Sequence, residues 1–120
     1  MMAPRQDRFF FVEDITGTRH DDTIYGNYAN NTLRGLDGSD RLMGRGGDDT
    51  LIGGDGDGTD TAVFSGNFAE YSFRTLHFND GQSFLEVHDT RLDRDGTDYV
   101  IGVERLEFHN MIVNTSSLMV

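Results

Sequence analysis

Cysteine is absent from the 120-residue chain, which rules out disulfides, thiolate metal sites and a cysteine nucleophile. Lysine is absent as well: all ten basic residues are arginine, set against twenty-one acidic ones, for a formal net charge of −11. That balance argues against a nucleic-acid partner, because holding a phosphate backbone requires positive charge. An anionic membrane surface is disfavoured for the same reason. No apolar run approaches the length of a membrane span, and the N-terminal stretch holds only four apolar residues in a row, Phe9, Phe10, Phe11 and Val12, flanked by charge. Neither a membrane span nor a Sec-type signal peptide is expected.

Glycine and aspartate fill the space these absences leave. Sixteen of the acids are Asp and five are Glu; Asp is a turn former and a metal ligand, whereas Glu favours helices. The stretch GRGGDDTLIGGDGDGTDTAVF at 44–64 concentrates both residue types before turning abruptly apolar. It is either a solvated linker or a set of carboxylates arranged for a cation. At this length a single domain is the expectation.

Phase decides between the two. A nine-residue period runs through GTRHDDTIY (17–25), GNYANNTLR (26–34), GLDGSDRLM (35–43) and GRGGDDTLI (44–52), followed by GGDGDGTDTAVF from 53. Glycine opens each block at Gly17, Gly26, Gly35, Gly44 and Gly53. The sixth place holds Asp22, Asn31, Asp40 and Asp49, and the eighth holds Ile24, Leu33, Leu42 and Leu51. The fifth block slips: Asp57 lies near the expected place and Asp60 arrives two residues late. A linker needs composition only, whereas these blocks keep carboxylate and aliphatic at fixed offsets. Each unit reads as a Gly/Asp turn followed by a short strand with one inward aliphatic. One aliphatic per unit cannot fill a globular core, so the units must stack and share a narrow column.

The blocks resemble the nonapeptide G-G-x-G-x-D-x-U-x of the RTX, or haemolysin-type, calcium-binding family, with the strongest likeness in GLDGSDRLM, GRGGDDTLI and GGDGDG. The resemblance implies a parallel β-roll in which successive units alternate sides, with Ca²⁺ between neighbouring turns on one side, held by sixth-position carboxylates and backbone carbonyls. The chemistry agrees, since Ca²⁺ takes six to eight oxygen ligands and glycine-rich turns let carbonyls converge. Asp22 is expected to work with Asp40, and Asp40 with Asp57 or Asp60; Asn31 pairs with Asp49 on the other side, weakened by its neutral amide. Gly35, Asp37, Gly38, Gly44, Gly46, Gly53, Asp55 and Gly56 complete the candidate turns. About two to four calcium ions are expected from the ligand count.

After residue 60 the texture becomes that of an antiparallel sheet. TAVFSG, AEYSFRTLHF, SFLEVHDTR, DYVIGVERLEF and MIV are strand candidates, with turn signals at 79–82 and 93–96. Asp80 and Gly81 suit a two-residue hairpin loop, a register that places His77 opposite Phe84 and His88 opposite Phe73. Tyr71, Phe73, Val87, Ile101, Val103, Leu106 and Phe108 are the expected second core, closing the open end of the stack.

The fold expected is therefore all-β: an N-terminal cap strand at 1–14, a short calcium-bound parallel β-roll at 15–62, and an antiparallel β cap at 63–120. Asp93 to Asp98, DRDGTD, is similar to the start of an EF-hand loop but lacks the full spacing and terminal Glu; a solvated turn is expected there. The four histidines make no short-range metal pattern, and no serine or carboxylate has the setting of a catalytic group, so no enzymatic activity is expected. The C-terminal NTSSLMV is similar to the signals read by type I secretion systems, and equally to the end of a last strand.

The function expected is a calcium-binding module that folds on extracellular calcium and supports the secretion, folding and stability of a secreted bacterial protein, by a route independent of a signal peptide. An attached catalytic or adhesive domain is the implied partner. The alternative is an auxiliary module binding an anionic polysaccharide, favoured if Arg34, Arg45, Arg74, Arg91 and Arg105 form one stripe. Self-association through sheet edges is a third reading.

Overall fold

The computed structural model describes residues 14–54, 58–77, 83–91 and 94–119. The glycine frequency that excludes helix from the repeats leaves three-residue strands: β1 (Asp14–Thr16), β2 (Thr23–Tyr25), β3 (Thr32–Arg34), β4 (Arg41–Met43), β5 (Thr50–Ile52) and β6 (Thr61–Val63). They alternate between two sheets. β1, β3 and β5 pair in parallel in one, and β2, β4 and β6 in the other. The arrangement is a parallel β-roll, as the family resemblance implies.

Register turns the eighth-position residues into two facing rows. Ile15, Leu33 and Leu51 lie side by side in the first sheet, and Ile24, Leu42 and Ala62 in the second. Leu33, Leu42 and Leu51 have no solvent exposure, while their strand neighbours are mostly exposed or half-buried. A side-chain period of two fixes this choice, because a one-residue slip would turn each leucine outwards.

The second half is antiparallel only in part. β7 (Tyr71–His77) and β8 (Ser83–Asp89) pair antiparallel, as do β8 and β9 (Thr97–Ile101), and β10 (Arg105–Glu107) with β11 (Ile112–Asn114). β9 also lies parallel beside β5, and β10 parallel beside β6. The sheets run β1-β3-β5-β9-β8-β7 and β11-β10-β6-β4-β2. The cap is therefore a continuation of both roll sheets. DYVIGVERLEF divides between them at Gly102, whose φ of +64° supplies the change of direction.

Two expectations are corrected here. β7 and β8 pair with His77 opposite Ser83, Ser72 opposite His88 and Phe73 opposite Val87, one residue away from the expected register. Phe73 and Val87 then share the core face, whereas a two-residue loop would have set Phe73 against His88; the loop itself, with Asp80 and Gly81, lies outside the described residues. Val100 takes the core place expected of Ile101, at 2 % exposure, because β9 aligns it with Leu51 and Leu85. At the C-terminus, residues Thr115–Leu118 form a 3-10 turn that returns Leu118 and Met119 to the core.

The remaining core residues follow expectation. Tyr71, Val87, Val103, Leu106 and Phe108 are buried, and Phe73 packs against them. Phe64 stacks on Phe108 at 5.4 Å, with Tyr71 tilted against the same ring at 5.0 Å, geometry that aromatic quadrupoles favour. Among the described residues no helix is long and apolar enough to cross a membrane. The expected cap of Phe9 to Val12 lies outside the described residues.

Candidate metal centre

Between strands, each turn stacks on the turn two units away. A ladder of hydrogen bonds from backbone N–H to sixth-position carboxylate links them. Asp22 donates to Asp40 Oδ1 at 2.8 Å and Asp40 to Asp60 Oδ1 at 2.9 Å on one side; Asn31 donates to Asp49 Oδ1 at 2.8 Å on the other. The alternation expected from the sequence thus brings Asp22, Asp40 and Asp60 into one column and Asn31 and Asp49 into another. Asp60 follows Asp40 despite its late arrival, and Asp55, Gly56 and Asp57 lie outside the described residues.

The side-chain oxygen that faces its own turn separates the turns into two kinds. In the first turn Thr18 donates its backbone N–H to Asp22 Oδ2 at 2.7 Å, and in the second Asn27 donates to Asn31 Oδ1 at 2.9 Å. The equivalent residues of the third and fourth turns are Leu36 and Arg45, held at φ of +68° and +72°. There Asp40 Oδ2 and Asp49 Oδ2 are buried without a hydrogen-bond partner among the described residues. A buried oxygen without a donor is costly, and it distinguishes these two turns from the first two.

The glycines explain how the carboxylates reach this position. A Cβ on Gly44 would overlap Asp49 Oδ2, and one on Gly35 would overlap Asp40 Oδ2; the acid folds back over the residue that opens its own turn. Gly53 stands in the same relation to Asp60. At the fourth place Gly38 and Gly47 have φ of +93° and +81°, and a Cβ on Gly47 would lie 2.6 Å from the Ala29 carbonyl oxygen. Backbone carbonyls therefore crowd the gap between stacked turns. Gly46 is buried beside Tyr28, and Asp37 is exposed.

Burial is the leading influence on these acids. It pushes the Asp40 carboxyl up to about 6 and that of Asp49 to about 7, against the lowering effect of the N–H bonds from Asp22 and Asn31. Asp60 is raised for the same reason. A cation in the turns would reverse each shift. Among the described residues no three acidic or histidine side chains converge as a metal group. An ion would take much of its shell from carbonyls, which suits a hard cation that prefers oxygen.

Both columns extend past the repeats. Asp49 donates its N–H to Asp98 Oδ1 at 2.9 Å, and Asp60 donates to Glu104 Oε1 at 2.7 Å. Neither Asp98 nor Glu104 is among the expected site residues. Asp98 was legible, because RDGTDYVIG at 94–102 repeats RGGDDTLIG at 45–53 in glycine, aspartate and aliphatic positions. The solvated turn expected at DRDGTD is corrected accordingly: Asp95 and Asp98 are 6 % and 1 % exposed, and Asp93 lies outside the described residues. Burial pushes the Asp98 carboxyl up to about 9. Glu104 carried no such signal, since its turn is too short to show the period.

His77 meets Ser83 at 2.9 Å and His88 meets Thr97 at 2.8 Å, while the His20 carbonyl lies in the first turn, against Gly38. Residues 12–35 and 25–60 match the family model of the RTX calcium-binding nonapeptide repeat, in four copies. The matched segment ends before β9 and β10 begin. No curated protein matches the chain.

Proposed function

We propose that the chain is a module whose folding is coupled to calcium, with Asp40 and Asp49 as the principal ligands. One observation carries the reading: each of these buried acids keeps an oxygen with no hydrogen-bond partner among the described residues, in a turn whose glycines admit backbone carbonyls. Asp22, Asn31 and Asp60 share their columns as secondary ligands, and the carbonyls of the turns containing Gly35, Asp37, Gly38, Gly44, Gly46 and Gly53 complete the shells. About two to four ions fit this ligand supply.

Without calcium, buried carboxylates and the conformational freedom of glycine oppose closure of the roll. With it, each ion neutralises a stacked pair and pins adjacent turns. Modules of this type with dissociation constants of about 10⁻⁴–10⁻³ M load outside cells. We assign the chain to a secreted bacterial protein, held open where calcium is scarce and folded where it is abundant, in a structural role beside an attached catalytic or adhesive domain. A calcium titration followed by far-ultraviolet circular dichroism tests this. A β signal that grows with calcium is expected; one already complete in chelator and unmoved by calcium would sink the coupling.

The arginines give the polysaccharide reading no support. Arg34 lies in the first sheet and Arg105 in the second, while Arg74 and Arg91 are bound to Glu86 and Glu70.

A further inference from the structure

We propose that Asp98 is a calcium ligand, binding an ion between the turn at 44–49 and the turn at 94–98, so that the same kind of site that closes the repeats also fastens the C-terminal sheet to them. The proposal rests on the calcium-binding reading above and extends it to residues outside the matched segment. Its first support is a copied hydrogen-bond pattern. Asp98 accepts from Asp49 N–H at 2.9 Å as Asp49 accepts from Asn31. Tyr99 N–H donates to the Asp49 carbonyl at 2.8 Å as Thr50 donates to that of Asn31. Gly53 N–H reaches the Ile101 carbonyl at 2.9 Å as Gly35 reaches that of Ile52. Thr97 N–H reaches Asp48 Oδ1 at 2.9 Å as Asp48 reaches Asn30.

The space between the turns is copied too. Gly96 has a φ of +73°, and a Cβ on it would overlap the Gly47 carbonyl oxygen, as one on Gly47 would crowd that of Ala29. The Arg94 carbonyl oxygen lies 3.3 Å from where a Cβ on Gly46 would stand. Beside this carbonyl-lined gap lie the fully buried Asp49, whose Oδ2 rests over Gly44 with no hydrogen-bond partner among the described residues, and Asp98, which is 1 % exposed.

No protein cation serves the pair. Among the described residues neither Asp49 nor Asp98 has a basic partner. Arg94, in the same turn, is committed elsewhere: its Nε and Nη2 bind Asp89 at 2.6 and 2.7 Å and its Nη1 binds Glu70 at 3.0 Å. Two buried carboxylates without a counter-ion persist only if neutralised or bound to a metal. Asn31 with Asp49 offers an ion one carboxylate, whereas Asp49 with Asp98 offers two. The stronger site on this side therefore lies at the junction with the C-terminal sheet, because ligand charge tunes calcium affinity.

The test is isothermal titration of the chelator-treated full chain with calcium chloride, comparing wild type with Asp98→Asn, whose amide oxygen keeps the acceptor for Asp49 N–H. We expect the variant to lose one calcium equivalent while the others remain. Unchanged stoichiometry and affinity in the variant would overturn the proposal and leave the calcium reading standing; a wild type that binds no calcium would overturn both. Hydrogen–deuterium exchange on the wild type decides independently of how the variant folds. Amides of 97–101 should gain protection in the same calcium step as those of 50–52, and protection complete in chelator would overturn the assignment.

Discussion

Thr18 donates its backbone N–H to Asp22 Oδ2 at 2.7 Å, closing the first turn on itself, whereas Asp40 Oδ2, one column place along, has no hydrogen-bond partner among the described residues. The difference predicts unequal substitutions of opposite sign in two states. Asp40→Asn should weaken calcium binding by about tenfold or more, each factor of ten being about 1.4 kcal/mol. It should also raise the β content in chelator, because it removes a buried charge that nothing compensates. Asp22→Asn should change both quantities less. Calcium titration and circular dichroism in chelator measure the two effects, and equal responses from Asp22 and Asp40 would refute the distinction.

The φ of +68° at Leu36 stands where the repeat favours glycine, and the left-handed region costs a residue with a side chain roughly 1–2 kcal/mol. Leu36 is 40 % exposed, so little burial is lost on truncation. Leu36→Gly should stabilise the calcium-loaded protein by about 0.5–1 kcal/mol after the extra freedom of glycine in the unfolded chain is counted. Gly47→Ala should do the reverse, by more than about 1 kcal/mol, since its φ is +81° and the Ala29 carbonyl blocks the new methyl. Thermal melts at saturating calcium check both.

Leu51 predicts how far the shared column is one cooperative unit. It is fully buried and lies between Leu33 and Val100, so Leu51→Ala should cost about 2–5 kcal/mol. Because Val100 sits on the strand that joins the C-terminal sheet, urea unfolding followed at both ends of the molecule should shift together. A loss confined to the repeats would show that the roll and the sheet unfold separately.

The roll was legible because its information is local. Asp40 and Leu42 stand at fixed offsets in one block, and stacking needs only that every block share them. The register of β7 and β8 was not legible, since it depends on Phe73 and Val87 meeting on one face. Asp98 lay between these cases. Its block keeps the spacing, but it is separated from its partner Asp49 by forty-nine residues, and the intervening hairpin hides the period. The bare oxygens of Asp40 and Asp49 were beyond reach, because backbone angles at Leu36 and Arg45 create them.

The corner where the sheet meets the roll gives the pH prediction. Asp89 has no exposed side-chain surface and accepts from Arg94 Nε and Nη2, from Arg91 N–H and from Asp95 N–H. Burial alone would raise its carboxyl, but these donors outweigh it and hold the group below its ordinary value. The native state therefore binds fewer protons here than the unfolded chain. The stabilisation is present above the unfolded value of about 3.9 and is lost as pH falls through the lower folded value. Arg94→Ala leaves the acid buried with only its N–H donors and should cost about 2–4 kcal/mol at neutral pH, somewhat under a fully buried pair because the guanidinium is partly exposed. Urea denaturation at saturating calcium should give a wild-type-to-variant gap that is constant from about pH 7 to about 5 and narrows below about pH 4 as Asp89 takes up its proton. Calcium occupancy measured in both chains at each pH separates loss of the ion from loss of the pair. A gap that does not narrow would mean that Arg94 holds this corner by packing over the Tyr71 ring, 5.4 Å from its guanidinium carbon, rather than by charge.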